Sequence, residues 1–148
     1  MRLALLALAA LTVAGCDSTT SEERPPETEF VGVTVAYRVS VVGESFDVAV
    51  TYTGADGEVR NEAVDFSRGT SYGQDVTLDP GTSGTFTLSA TGLIDDGRLA
   101  ASIVVTRDDT GDEVASDADV ITTTGAGEEA SVTARVDVPE VVVTPGSG

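Results

Sequence analysis

The chain of 148 residues lacks histidine, lysine and tryptophan, and its one cysteine is Cys16. Without histidine and lysine, a Ser-His-Asp triad, a histidine-ligated zinc site, a Schiff base and a Ser-Lys pair are all excluded. A single cysteine also excludes an intrachain disulfide, so the fold has to depend on its hydrophobic core. We therefore expect a protein that is not an enzyme and needs no cofactor.

Positive charge is scarce as well. The chain has 25 acidic and 8 basic residues, which gives a formal net charge of -17, and every basic residue is an arginine. Nucleic acid is therefore excluded as an expected partner. An acidic, lysine-free surface stays hydrated when salt screens its self-repulsion, which is typical of adaptation to high salt. A specific cationic ligand is the alternative explanation.

Carboxylates are abundant, but their pairs fall in polar segments where water solvates them. These pairs are Asp95-Asp96, Asp108-Asp109 and Glu128-Glu129. A catalytic acid needs burial or a close charge, so we assign none of them to catalysis.

Residues 108–113 are the best candidate for a cation site, because calcium binds about six to eight hard oxygens. The candidate ligands are Asp108, Asp109, Asp112 and Glu113. A solvated hairpin turn explains the same residues, and we favour that interpretation over a metal site.

No apolar run is long enough to cross a membrane. The run at residues 3–13 follows Arg2 and is shorter than the roughly 20 residues that a membrane-spanning helix needs. A positive residue, a short apolar run and the small residues Ala14 and Gly15 are typical of a secretion signal, which we predict over residues 1–15.

The segment Val13-Ala14-Gly15-Cys16 resembles the lipobox of bacterial lipoproteins. This resemblance implies cleavage between Gly15 and Cys16 and a diacylglycerol thioether on Cys16, whose thiolate is the nucleophile. An ordinary secretory signal that contains a cysteine is the alternative. Two or three acyl chains would anchor the mature protein firmly to the inner or the outer membrane, with its domain outside the cytoplasm.

Residues 17–29 carry no large apolar side chain and cannot contribute to a core. We therefore divide the chain into a signal peptide (1–15), an acidic, lipid-anchored flexible tether (16–29), a folded domain (30–138) and a C-terminal tail (139–148). The folded part is long enough for one domain and too short for two.

From residue 31 onward, apolar residues alternate with polar or small ones, which is the period of a β-strand. The predicted inward faces are Val31, Val33, Val35, Tyr37, Val39 and Val41; Phe46, Val48, Val50 and Tyr52; Phe86, Leu88 and Ala90; Leu99, Ala101, Ile103 and Val105; and Val132, Ala134, Val136 and Val138. Turn-forming residues separate strands at 54–57, 79–84, 93–97 and 108–111. This pattern predicts an all-β domain, a single antiparallel immunoglobulin-like β-sandwich of about seven to nine short strands.

Less regular stretches give finer expectations. The strand after 54–57 changes parity, which predicts a bulge near Glu62 or Ala63. Residues 117–124 are acidic and rich in threonine, as expected of an edge strand that must not pair with other chains. The tail segment 141–143 is expected to pack on, or swap into, a sheet edge. The aromatic residues expected in the core are Tyr37, Phe46, Tyr52, Phe66 and Phe86.

Several segments of the domain resemble the MmpS family of small envelope proteins. They are Tyr37-Arg38-Val39, Asp47-Val48-Ala49-Val50-Thr51-Tyr52-Thr53 before the turn Asp56-Gly57, Phe86-Thr87-Leu88-Ser89-Ala90 and Ser102-Ile103-Val104-Val105. The resemblance covers most of residues 35–136 and implies a β-sandwich. Members of that family are accessory subunits of lipid and siderophore exporters, and they carry a transmembrane helix rather than a lipid anchor. This chain also has Asp65-Phe66-Ser67 where they often have a Pro-Trp pair.

These features together predict a lipid-anchored, non-enzymatic lipoprotein of the bacterial cell envelope. On this hypothesis the domain binds or positions another envelope protein, for example as a transporter accessory. The alternative is a calcium- or glycan-binding surface module, which calcium-dependent thermal stabilisation would favour.

Overall fold

The computed structural model describes residues 27–45, 48–66 and 71–143. Its seven β-strands are β1 (Val33–Ser45), β2 (Val48–Thr53), β3 (Val59–Val64), β4 (Ser71–Leu78), β5 (Gly84–Arg107), β6 (Glu113–Thr122) and β7 (Glu128–Val138). All pairings between these strands are antiparallel. The prediction of an all-β, antiparallel fold is confirmed. The predictions for residues 1–26, which include Cys16, and for Phe46 lie outside the described residues.

Strand β5 organises the fold, because it is 24 residues long and each of its halves has a partner strand on both edges. Its C-terminal half pairs with β1 on one edge and β6 on the other. Its N-terminal half pairs with β2 and β7. Strand β4 extends the first group beyond β1, and β3 extends the second beyond β2.

The result is one curled, seven-stranded antiparallel sheet that folds over itself in the manner of a sandwich. We call its two layers sheet I and sheet II. Sheet I consists of β4, β1, the C-terminal half of β5 and β6. Sheet II consists of β3, β2, the N-terminal half of β5 and β7.

Strand β5 passes from one layer to the other at residues 93–97. The sequence predicts a connection there, and that prediction is wrong, because Leu93 pairs with Glu129 and Arg98 pairs with Val42 in ladders that continue through the segment. Asp96 adopts a φ of 41°, so the chain bends without reversing. Neighbouring strands supply hydrogen-bond partners on both sides of the bend, which keeps the turn-like residues within a strand.

Two glycines permit the close approach of strands at this bend. Gly43 of β1 has a φ of 105°, and the register between β1 and β5 shifts beside it. A Cβ on Gly97 would lie 2.1 Å from the carbonyl oxygen of Val42. The loop between β6 and β7 holds the bend: the Gly97 N–H donates to the buried Thr123 hydroxyl (3.1 Å), and the Thr123 N–H donates to the Gly97 carbonyl (2.9 Å).

The core lies between the layers, and the alternating residues predicted to face inward form it in β1, β2, β5 and β7. Tyr37 of sheet I donates its hydroxyl to the carbonyl of Thr53 in sheet II at 2.7 Å, which ties the layers together. Its ring centroid lies 5.3 Å from that of Tyr52. Burial raises the pKa of Tyr37. The core prediction is confirmed for Tyr37, Tyr52, Phe66 and Phe86.

Strand β6 is an edge strand, as predicted, since β5 is its one backbone partner among the described strands. Its acidic residues also connect the two layers along the line where β6 and β7 lie side by side, which we call the seam between β6 and β7. The carboxylates of Asp117 and Asp119 accept the backbone N–H groups of Arg135 and Thr133 in β7, at 2.8 and 2.9 Å. Because carboxylates of β6 occupy these two amides of β7, the edge of β7 is not simply open for the addition of another strand there.

A second seam joins β3 to β4 on the opposite side of the sandwich. The Glu62 carboxylate accepts the hydroxyls of Tyr52 and Tyr72, at 3.1 and 3.0 Å. Burial raises the pKa of both tyrosines. The predicted bulge near Glu62 or Ala63 is wrong, since β3 pairs with β2 without a register shift. Side chains on both faces of β3 are mostly exposed, so the alternation of apolar residues along β3 does not show which face is buried.

The segment 141–143 pairs with the residues that lead into β1. Phe30 and Val142 form an antiparallel bridge. The Val31 N–H donates to the Val141 carbonyl, and the Val143 N–H donates to the Glu29 carbonyl, each at 2.8 Å. The tail therefore packs on the domain, but against the segment that precedes β1 and not on a sheet edge as predicted. The chain enters and leaves the domain at the same end.

Candidate functional site

The outer face of sheet II carries hydroxyl groups that form hydrogen bonds with hydroxyl, carboxylate or amide oxygens on the neighbouring strands. The cross-strand side-chain pairs are Thr85 with Asp137 (2.6 Å), Ser89 with Thr133 (3.0 Å), Thr91 with Ser131 (2.9 Å) and Thr51 with Asn61 (2.7 Å). We call this arrangement the hydroxyl ladder. The exposed large apolar side chains of this face are Val59 and Leu93, near the ends of β3 and of the N-terminal half of β5.

The outer face of sheet I has small residues and a groove instead. The groove has a volume of about 290 Å³. The outward residues that line it are Arg38 and Ser40 of β1, Ser71 of β4, Arg98, Ala100 and Ser102 of β5, and Ala118 and Val120 of β6. Short side chains in the middle of the sheet leave the space, and longer ones border it.

The strand register gives the order of these residues across the groove. Ser40 lies opposite Ala100, which lies opposite Val120 of β6. Arg38 belongs to the cross-strand row on one side of this line, and Arg98 belongs to the row on the other side. Two same-face steps along a strand separate these rows by about 13 Å. The floor of the groove therefore consists of serine and alanine, and one arginine lies toward each of its ends.

The two arginines differ in their partners. Arg38 donates to the Asp75 carboxylate at 2.6 Å and to its neighbouring Tyr37 carbonyl at 2.8 Å, and its side chain is 49% exposed. Within the described parts of the chain, Arg98 has no carboxylate within ion-pair distance, and its side chain is exposed. The positive charge at the Arg98 end of the groove is therefore not neutralised by a described residue.

Asp119 also borders the groove, but its carboxylate is engaged elsewhere. One oxygen accepts the Thr133 N–H of β7, and the other accepts the N–H of Val120 at 2.9 Å. Val120 itself is 56% exposed, a high value for a large apolar side chain. The groove thus combines an apolar edge with arginine in a protein that is otherwise strongly acidic.

The four candidate calcium ligands do not converge. Asp109 forms a bidentate ion pair with Arg107, at 2.9 and 2.8 Å, and this hydrogen bonding lowers the pKa of Asp109. Asp108 accepts from Thr34 at 2.8 Å, and Glu113 accepts from Ser116 at 2.6 Å, while Asp112 contributes backbone hydrogen bonds to the turn. Within residues 27–45, 48–66 and 71–143, no group of three potential ligands is placed to hold a metal ion.

The other carboxylate pairs support the bend. Asp95 accepts the Gly127 N–H, and Glu128 accepts the Thr124 N–H at 3.2 Å. The Asp95 contact fastens the loop between β6 and β7 to the point where β5 changes layer, and the Glu128 contact holds that loop together internally. A structural role accounts for Asp95 and Glu128.

Sequence reasoning missed Arg38 and Arg98 as members of one site. A signal was present in the outward positions of β5, where Ala100, Ser102 and Val104 are smaller or more apolar than the threonines of sheet II. That signal could not show that β1 and β6 would place further small residues beside them.

The described part of the chain contains no helix that is long and apolar enough to span a bilayer. Comparison with known proteins gave no matching family model and no matching curated sequence. Any functional conclusion therefore depends on the residues of this chain.

Proposed function

We propose that this chain is a lipid-anchored lipoprotein of the bacterial cell envelope whose β domain binds another envelope protein and catalyses no reaction. The observation that carries the binding role is the contrast between the two outer faces. The outer face of sheet II is covered by a ladder of cross-strand side-chain hydrogen bonds, whereas that of sheet I has a groove bordered by Arg38, Arg98 and Val120. Concave surfaces with a few polar groups at fixed positions are typical of binding sites.

The anchor part of the proposal is supported by the sequence Val13-Ala14-Gly15-Cys16 after a short apolar run. The pairing of 29–31 with 141–143 supports a defined orientation, because the last residue of the proposed tether is held at one end of the domain. The groove lies on the side of the sandwich, toward the middle of β1. A partner in the same membrane would therefore contact the side of the domain, as expected of a transporter accessory.

Two measurements test this proposal. Labelled palmitate is expected to enter the wild-type protein and not the variant Cys16→Ser. A photo-crosslinking residue at position 120 is expected to capture an identifiable envelope protein in native membranes. The same residue at position 133, on the outer face of sheet II, is the matched control and is expected to capture none. A soluble, unmodified wild-type protein, or equal capture from both faces, would contradict the proposal.

A further inference from the structure

We infer that the groove on sheet I recognises an extended, acidic peptide segment of the partner, held by Arg38 and Arg98 toward its two ends. This inference rests on the proposed function and adds the chemistry of the partner. It depends on three properties of the groove: its charge, its shape and its distance from the tether.

Basic residues are scarce in this chain, and all of them are arginine. In a chain with a net charge of -17, this one groove is lined by two of the eight basic residues. Arg98 has no carboxylate partner among the described residues, and Arg38 is shared with the half-exposed Asp75. A guanidinium binds a carboxylate through two parallel hydrogen bonds, so each arginine can hold one acidic side chain. The long-range repulsion between two acidic proteins is screened beyond about 8 Å at physiological ionic strength, so these short contacts decide binding.

The floor of the groove is shallowly covered by small side chains. Ser40, Ala100 and Ala118 present short side chains, which lets a second backbone approach the sheet closely. Side chains of an extended peptide alternate between its two sides, so acidic residues two or four positions apart face the same way. Their spacing, about 7 or 13 Å, is compatible with long arginine side chains in rows about 13 Å apart. With the four-position spacing, an apolar residue midway between the two acidic residues faces the same way and would contact Val120.

Chain length argues against the acidic tether of this chain as the occupant of the groove. Glu27 lies six residues before Val33, and Arg38 lies five residues after it. At about 3.3 Å per residue in an extended chain, the groove is roughly 35 Å from Glu27. Glu22 and Glu23 are only four or five residues from Glu27, a reach of about 18 Å at most, and Asp17 adjoins Cys16, which the proposed function holds at the membrane. We therefore assign the groove to a segment of another molecule.

Selection from a random heptapeptide library tests the inference, with the full-length protein purified in detergent micelles as bait. Enriched peptides are expected to carry acidic residues two or four positions apart. They should bind Arg98→Gln and Arg38→Gln about tenfold more weakly than wild type, since a lost charged hydrogen bond has an effect of that size. Arg135→Gln removes an exposed arginine from the outer face of sheet II and is the matched control. It is expected to bind like wild type. Thermal melting of each variant verifies that it is folded.

Several outcomes would overturn the inference. They are enriched peptides without acidic residues, equal binding by wild type and Arg98→Gln, or no enrichment over the double variant that lacks both arginines. Sedimentation that shows a dimer disrupted by Val120→Glu would assign the groove to a second copy of the chain. Crosslinking from position 120 is independent of peptide charge. A captured partner combined with charge-independent peptide binding would refute the acidic occupant and leave the proposed function standing.

Discussion

The outer faces of sheets I and II come from the same strand but differ in chemistry. In its N-terminal half, β5 directs Thr85, Ser89 and Thr91 outward, and each hydroxyl has a cross-strand partner. In its C-terminal half it directs Ala100 and Ser102 outward, where they line the groove. The inner faces of both halves are equally buried. The difference therefore shows that stability constrains the inner positions on both layers, while the outer positions are free to specialise.

The largest expected effect is the difference in the free energy of unfolding between substitutions at inner and at outer positions of β5. Phe86→Ala is expected to lower the free energy of unfolding by about 3–5 kcal/mol, because the ring is buried between the layers. Thr87→Ala, one position along and on the outer face, is expected to cost under about 1 kcal/mol. Urea denaturation measures both. Equal losses would show that β5 does not divide the molecule into an inside and an outside.

The bend at 93–97 places the two halves of β5 in different layers, so breaking it should affect both faces. Gly97→Ala is expected to cost about 3 kcal/mol, because the new Cβ would overlap the Val42 carbonyl and force the backbone apart. The matched control is Gly125→Ala, where the nearest atoms belong to the flexible side chain of Glu128 at 3.2 Å. The control is expected to cost under about 1 kcal/mol. Similar chemical denaturation midpoints for the two variants would contradict the close approach at the bend.

Tyr37 connects the two layers, and its removal sharpens the comparison through pH. Tyr37→Phe leaves the Thr53 carbonyl without its donor and is expected to cost about 1–3 kcal/mol at pH 7. Burial raises the pKa of Tyr37 above its ordinary value of 10.0, so the unfolded state ionises first. The stability that depends on the neutral hydroxyl is complete below pH 10 and is lost as the pH rises through the folded-state value.

Unfolding by urea between pH 7 and 11 measures this effect. Above pH 10, wild type is expected to lose stability more steeply than Tyr37→Phe. An identical alkaline loss in both proteins would show that Tyr37 does not supply it.

The seam between β6 and β7 joins the grooved face to the ladder face. Asp119→Ala is expected to cost about 1 kcal/mol, because the Thr133 N–H loses a charged acceptor in a partly solvated place. Asp119→Asn keeps a carbonyl oxygen and is expected to cost less. Amide hydrogen exchange at Thr133 reports the local opening directly. Unchanged exchange in Asp119→Ala would show that the carboxylate does not close the seam.

The smallest expected effect on stability concerns the outer faces themselves. Val120→Ser is expected to change the free energy of unfolding by under about 0.5 kcal/mol, since the side chain is 56% exposed. Ser89→Ala, which removes one hydroxyl pair from the ladder, is expected to cost a similarly small amount, about 0.2–0.5 kcal/mol. Only Val120→Ser is expected to weaken peptide binding or capture by the groove. Equal binding by the two variants would remove the functional distinction between the faces.

The sequence predicts that several residues of the candidate site face outward, but it does not predict that they lie together. The outward parity of Arg38, Ser40, Ala100 and Ser102 follows from the alternation within each strand. Their convergence depends on β1 and β6 lying on either side of one half of β5, a pairing between distant parts of the chain. The carboxylates of 108–113 show the same dependence on distant strands, since Asp108 accepts a hydrogen bond from Thr34 of β1 instead of facing its sequence neighbours.

The sequence by itself determined the all-β class, the inward faces of the long strands and the burial of their aromatic residues, because a period of two is a local property of a half-buried strand. Only the tertiary structure decided that 93–97 bends instead of turning, that Asp117 and Asp119 close a seam, and that two arginines share a groove. Each of these depends on the hydrogen-bond partner or the neighbour that another strand brings, which can be far away in the sequence. A local pattern shows which way a side chain points, and the packing of distant strands determines what it meets there.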